Sequence, residues 1–229
     1  AALAADHAAL IDAFTRLAEA SGQARWITAA RETADTMLEW FWDDDNGGLF
    51  TTASDGEELV VRQKDIADNA TPSANSQAAL ALYRLAALTG EQRYVVRADA
   101  ILKLLTDPID QAALMFSNAL VATDFRRRGP TEVAVVGNRP DLVRLAHSAW
   151  RPDTVLAWGE PYESPLWADR SAGYAYVCRN YACQLPQDSL AGFAEQLAGQ
   201  PMDVTAFVEQ FGDRRAPDAP DDLTSDRDE

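Results

Sequence analysis

Histidine and cysteine are scarce in this chain: two of each occur among 229 residues. The sequence gives little support for nucleophilic catalysis through a Ser–His or Cys–His pair, because neither His7 nor His147 lies near a turn that could present a nucleophile. A zinc site lacks ligands, because Cys178 and Cys183 form one C-x4-C pair without a second. The sequence therefore predicts ordinary buried or free thiols and no metal.

Basic residues are also few, with 20 Lys and Arg against 36 Asp and Glu and a net charge of −16. Such a negative field repels phosphate backbones and anionic membrane surfaces. The basic cluster at 126–128 fits a helix C-terminus before Gly129 and Pro130. No apolar run approaches the roughly 18–20 residues of a membrane span, and the Ala-rich start lacks the basic region of a signal peptide. We therefore expect a cytoplasmic protein that binds neither nucleic acid nor membrane.

Glycine-rich phosphate motifs are missing too. Gly137 follows a predicted strand, but it supplies only one glycine of a G-x-G-x-x-G fingerprint, so we interpret it as part of a structural connection. The acidic run at 43–45 suggests calcium, yet the twelfth position of an EF-hand-like loop starting there is Ser54 where Glu is needed. We expect no cofactor.

An internal repeat of 68 residues organises the first half of the chain. Gly22 corresponds to Gly90 and Arg25 to Arg93, so each copy predicts a helix that ends at Gly and a second helix that opens with Arg and an aromatic residue. Helix 26–42 has one polar side, whereas helix 78–88 is apolar almost all round. Alternating enclosed and half-exposed helices predict an inner and an outer layer, as in a helical toroid or solenoid.

A change of pattern at Gly129 predicts a second region. The expected fold is mainly α, with helical hairpins at 1–128, a small βαβ-containing region at 129–212 and a disordered acidic tail at 213–229. The expected elements are strands at 131–136, 154–158 and 173–178, helices at 140–150, 189–197 and 202–211, and a short hairpin of strands 49–52 and 59–61.

Charged and small polar residues crowd the segment 61–76, between a short apolar strand and an apolar helix. Paired carboxylates serve acid/base chemistry at a glycosidic bond, and Asp65 and Asp68 are close enough in sequence to share a cleft. Glu57, Glu58 and Asp43 are alternative second carboxylates. The candidate ligand-binding residues are Arg62 and Lys64 as charge partners, and Asn69, Ser73 and Asn75 as hydroxyl binders.

A structural interpretation of the same segment stays open. Thr71 or Ser73 can cap the next helix, Pro72 fits its first turn, and Asn75 and Ser76 can satisfy free backbone amides. This interpretation accounts for residues 71–76 but not for the charged residues before them. Trp40, Trp42 and Phe50 could stack on a sugar ring, although a core position is the simpler expectation.

The segment from Val61 to Ser76, together with Gly47-Gly48-Leu49-Phe50 and the closing pieces around Cys178 and Cys183, resembles the YyaL/spermatogenesis-associated protein 20 family. The resemblance covers most of residues 10–200. It implies the C-terminal part of a protein with a thioredoxin-like domain, absent here, and an (α/α)6 toroid similar to six-hairpin glycosidases. By similarity, residues 65–75 line the central cleft. This chain has Ala74 where the family usually has Gly, and a methyl group there would hinder close approach of a ligand.

Two hypotheses about function follow. In the first, a carbohydrate-active-like toroid scaffold binds a sugar-like ligand or performs acid/base chemistry on it. In the second, a catalytically silent structural module self-associates or docks on a partner, because an incomplete ring exposes apolar helix faces. The partner would be a second copy or the missing N-terminal part of the toroid.

Overall fold

The computed structural model describes residues 2–56 and 60–198. Most of this part is helical, and a four-stranded sheet lies near its C-terminal end, as the sequence predicts. The helices are α1 (Ala4–Ser21), α2 (Arg25–Phe41), α3 (Ala74–Thr89), α4 (Gln92–Ala112), α5 (Ser117–Arg128), α6 (Pro140–His147) and α7 (Leu190–Ala198). The strands are β1 (Thr131–Val135), β2 (Thr154–Trp158), β3 (Ala175–Arg179) and β4 (Ala182–Cys183). The 3-10 turn Ala113–Phe116 joins α4 to α5.

Two helical hairpins, α1–α2 and α3–α4, correspond to the two copies of the sequence repeat. The first helix of each ends at a glycine in the left-handed conformation, Gly22 at φ 67° and Gly90 at φ 81°. In both, the glycine amide donates to the carbonyl four residues earlier, which satisfies one of the free carbonyls at the helix end. A left-handed glycine therefore ends the first helix at the equivalent position of each repeat.

Helix α3 is the centre of the helical region. Fourteen of its 16 residues are buried, because α1, α4, α5 and β2 all pack against it. Helices α1, α3 and α5 lie side by side and form what we call the inner layer, while α2 packs on α1 and α4 packs on α3 from outside. This arrangement explains why α3 is apolar almost all round and why α2 and α4 each have a polar side.

The sheet has the order β2-β1-β3-β4. Strands β1 and β2 are parallel and are connected through α6, whereas β3 pairs antiparallel with β1. Side chains alternate between two apolar clusters. Val133, Val135 and Val177 meet α6 and α7 on one face, and Ala134 and Tyr176 lie in the cluster on the other. The predicted strand, helix, strand unit is therefore present, with α6 ending at His147 rather than at residue 150.

The prediction of free or merely buried thiols is wrong, because Cys178 and Cys183 form a disulfide. They are directly opposite partners of the antiparallel strands β3 and β4. The connecting residues Asn180 and Tyr181 both have positive φ, as a two-residue hairpin with a primed turn requires. Buried Glu132 of β1 accepts a hydrogen bond from the Tyr181 amide at 2.7 Å, which holds this turn in place.

Two further predictions differ from the structure. Within the described residues, 49–52 and 60–61 form no strand ladder; Leu49 instead makes an isolated bridge with Trp42. The helix predicted at 189–197 begins at Leu190, and the Ser189 hydroxyl, rather than Asp188, accepts from the Gly192 amide. The predicted helix at 202–211 and the acidic tail lie outside the described residues, and the domain boundaries stay predictions.

Candidate functional site

The polar segment enters α3 at the end of the inner layer where α3 and α5 both begin. We call residues 60–73 the entry segment. It faces the turn that follows α2, at residues 42–52, and its backbone amide at Asp68 donates to the Met115 carbonyl at 2.8 Å. The entry segment therefore contacts both the turn after α2 and the connection between α4 and α5, which are far apart in sequence.

Asp68 caps two helices at once. Its Oδ1 accepts from the Ser73 amide at 2.8 Å and from the Ser76 hydroxyl, and its Oδ2 accepts from the Asn118 amide at 2.7 Å and the Ala119 amide at 3.4 Å. These donors belong to the first turns of α3 and α5, where free amides and the positive end of the helix dipole favour a carboxylate. Asp68 is only 9% exposed. Both of its oxygens are thus used to join two helices of the inner layer.

Asp65 lies on the surface beside the same helix end. Its Oδ2 accepts from the Ala74 amide at 3.1 Å, and its backbone carbonyl accepts from the Asn75 side chain at 2.8 Å. Unlike Asp68, Asp65 is exposed. Of the two predicted catalytic carboxylates, Asp65 is the one that a ligand from solvent can reach.

Asn75 ties the α2 connection to α3. Its Oδ1 accepts from the Leu49 amide at 2.7 Å, and its Nδ2 donates to the Leu49 carbonyl at 2.9 Å, so the side chain pairs with Leu49 as a neighbouring strand would. Asn75 is fully buried. Gly48 lies against it: a Cβ there would come within 3.0 Å of Asn75 Oδ1 and 2.6 Å of Leu104 Cδ2. The close packing explains a glycine at this position.

Arg62 and Lys64 hold the turn after α2. Arg62 lies over the Phe50 ring at 4.2 Å and donates to the Thr52 carbonyl at 2.6 Å. Lys64 pairs with Asp43 at 2.7 Å and donates to the Gly47 carbonyl at 2.5 Å. The Lys64 ammonium keeps the pKa of Asp43 well below its usual range, helped by amides of the turn. Both cations therefore have carbonyl or carboxylate partners.

Of the remaining predicted ligand-binding residues, Ser73 is buried and Asn69 is exposed. Ser73 is the buried N-cap of α3, and its hydroxyl accepts from the Ser76 amide at 3.2 Å. Asn69 is exposed and its side chain accepts from the Ala70 amide at 2.9 Å. The structure thus gathers Asp65, Asp68, Ser73 and Asn75 at the start of α3. Their catalytic and binding roles stay predictions.

Sequence reasoning missed the donors that face Asp68 from α5, Asn118 and Ala119. They lie about 50 residues further along the chain, and nothing in their local pattern distinguishes them from other helix-start residues. Ser76, which the structural interpretation assigned to free backbone amides, donates its hydroxyl to Asp68. No group of three or more His, Cys, Asp or Glu side chains that could hold a metal occurs within residues 2–56 and 60–198.

The fold and this site define a protein of layered helical hairpins with a small α/β unit behind the inner layer. The chain is similar to spermatogenesis-associated protein 20 from Homo sapiens, with 28% identity over 198 residues, and to the proteins of the same name from Rattus norvegicus and Mus musculus, with 26% and 25%. Each match covers 79% of this chain and 25% of the relative. These matches support a relationship to the spermatogenesis-associated protein 20 family.

The chain spans about a quarter of the length of the curated relatives it matches. No family model matches it. Every helix in the two described ranges is too short or too polar to cross a membrane.

Proposed function

We propose that this chain is one sector of a helical toroid, an interaction module that docks on further helical hairpins through the two free edges of its inner layer. The observation that carries the proposal is a stripe on α1. Leu3, Leu10 and Leu17 recur every seven residues and are 41–46% exposed, although the rest of the apolar face of α1 is buried. A period of seven places all three along one side of a helix.

The position of the stripe fits an inner helix that lacks one neighbour. Helix α1 has α3 on one side and α2 on another, and Phe14 stacks on Trp26 at the α2 side. The three leucines lie beyond Phe14 on the helix circumference, away from α3. A preceding inner helix of a toroid would occupy that side.

The opposite edge of the inner layer is also apolar. Helix α5 turns Ala119, Ala122 and Phe125 inward, while Leu120 and Val121 are 41% and 49% exposed. Leu120 and Val121 line a groove of about 350 Å³ together with Pro152. Both ends of the α1–α3–α5 layer therefore present apolar side chains at the place where another helix would continue it.

The energy available at the α1 edge is substantial. Full burial of one leucine contributes about 2 kcal/mol, so covering the remaining two-fifths of three leucines contributes about 2–3 kcal/mol before new packing contacts are counted. The occupant that fits best is another amphipathic helical hairpin, because the edge is a straight apolar stripe with the spacing of a helix. The greater length of the relatives is consistent with such hairpins.

Sedimentation velocity on the purified chain tests this proposal. Without its partner hairpins, the chain should self-associate as its concentration rises, and a Leu10→Asp, Leu17→Asp double variant should remain monomeric. An Arg25→Met, Val96→Asp variant on the outer helices α2 and α4 is the matched control and should associate like the parent. A parent chain that stays monomeric up to about 1 mM, where an interface of about 4 kcal/mol is populated, would contradict the proposal.

A second candidate function rests on the exposure of Asp65. In it, the entry segment binds a sugar-like hydroxylated ligand. Asp65 would act in acid/base chemistry, Asn69 would bind hydroxyl groups, and Asp68 would contribute through the position of the segment. A thermal-shift panel of neutral sugars tests it, because a ligand that binds the folded chain raises its Tm. A shift that disappears in Asp65→Asn supports this function, and the absence of any shift removes it.

A further inference from the structure

A cavity lies between the helical region and the sheet, on the side away from the entry segment. It has a volume of about 360 Å³, which lies in the range of small-molecule sites. Its charged and aromatic lining comes from α1, α3, the end of α6 and the loop before β2. These lining residues are Arg16, Glu19, Arg84, His147, Trp150 and Arg151.

Arg84 is the most deeply buried cation of this lining, with 3% of its side chain exposed. It pairs with Glu19 at 2.6 Å and with Asp12 at 3.8 Å, and it donates to the Thr154 carbonyl at 3.4 Å. Its Nε nevertheless has no hydrogen-bond partner. Asp12 Oδ1 is likewise without a hydrogen bond. A buried N–H donor without an acceptor is unfavourable by about 1–3 kcal/mol, so an acceptor supplied by a ligand would be stabilised there.

Arg151 differs from Arg16 and Arg84, which both have ion-pair partners. Its guanidinium donates only to the Ala146 carbonyl at 3.3 Å and the Ala149 carbonyl at 3.5 Å, and no carboxylate within the described residues lies at ion-pair distance from it. Partial burial lowers the pKa of Arg151, with Asp153 opposing that effect. Its charge is therefore poorly compensated in the free protein.

Glu19 and Arg16 complete the charge distribution of the cavity. Glu19 is occupied by Arg84 and by the Leu156 amide at 3.1 Å, and Arg16 by Asp12 at 2.9 Å. Asp12 and Glu19 thus compensate Arg16 and Arg84. Arg151 is the arginine of the lining whose charge has no ion-pair partner within the described residues.

Trp150 gives the cavity a flat apolar wall at its mouth. Its side chain is 78% exposed, which is unusual for the largest apolar residue in a folded protein. An exposed indole beside a cluster of arginines can stack on a ring while the cations hold an acidic substituent.

We propose that this cavity binds a small ring compound that carries a phosphate or carboxylate group, with the anionic group held between Arg84 and Arg151 and the ring against Trp150. The overall negative charge selects for small ligands, because polyanions such as nucleic acid are repelled before they reach the cluster. The cavity adjoins the groove at the α5 edge, because Pro152 lines both.

Isothermal titration calorimetry on the full chain tests the proposal with glucose 6-phosphate, glucuronate and glucose as probes. The two acids share a ring and differ in the anionic group, so their relative affinities distinguish phosphate from carboxylate. At least one acid should bind, and glucose should bind at least tenfold more weakly, which corresponds to about 1.4 kcal/mol.

Arg151→Met and Trp150→Ala test the same assignment without disturbing the buried Arg84. Each should weaken binding of the acid at least tenfold, while Arg25→Met, at an exposed arginine over Trp26 that does not line the cavity, should leave it unchanged. Equal binding of glucose, unchanged affinity in Arg151→Met, or no heat and no Tm shift with either acid at about 10 mM would overturn the proposal.

Discussion

Replacing Asp68 with Asn should destabilise the protein strongly, because this carboxylate accepts four hydrogen bonds from two helix starts. An amide keeps one acceptor oxygen and turns an NH2 group toward N–H donors. Two bonds to a charged acceptor are then lost, each contributing about 1.5–3 kcal/mol. We expect a loss of about 3–6 kcal/mol in the free energy of unfolding.

Thermal and urea unfolding measured by circular dichroism give the assay. For a protein of this size 1 kcal/mol corresponds to about 2–4 °C, so the Tm should fall by about 6–24 °C. Asp65→Asn is the matched control, because Asp65 is exposed and caps with one bond to the Ala74 amide. It should change stability by less than about 1 kcal/mol. An Asp68→Asn variant as stable as the parent, or a larger loss in Asp65→Asn, would refute the double-cap assignment.

Three further predictions concern the packing around the entry segment. Asn75→Ala should cost about 2–3 kcal/mol in urea unfolding, because it leaves the amide and carbonyl of Leu49 unpaired, whereas Asn69→Ala should be nearly neutral. The pKa of Asp43 is depressed, so its carboxylate contributes stability above its ordinary pKa of 3.8 and loses that contribution when it is protonated. Lowering the pH below 3.8 should therefore destabilise the parent. Asp43→Asn should show a weaker pH dependence of unfolding below pH 3.8. Gly48→Ala should lower the Tm more than Gly129→Ala, since both glycines have positive φ but only Gly48 has side chains within 3.0 Å of a new Cβ.

The helical half was predictable because its signals are local. A glycine at the C-terminus of α1 and of α3 indicates where each hairpin turns. Helix α3 is apolar on nearly every side, which indicates that it lies inside the helical layers. Neither signal depends on distant residues. The parallel strands β1 and β2 follow for the same reason, since a short buried strand, a Pro-started helix and a second strand form one unit.

The candidate site could be located from the sequence, but its internal contacts could not. A carboxylate that binds a ligand and one that caps a distant helix look alike in sequence, and Asp68 is a cap because α5 begins beside it. The disulfide was missed because it depends on the register of β3 and β4, which a primed turn at Asn180 and Tyr181 sets without glycine.

The most direct test of the toroid-sector account is hydroxyl-radical footprinting of the chain at low and high concentration, read by mass spectrometry. The account predicts that oxidation of Leu10 and Leu17 on the α1 edge falls on association, while that of Val96, which is 63% exposed on α4, does not change. Unchanged oxidation of both leucines in the associated state, or protection centred on Val96, would contradict it.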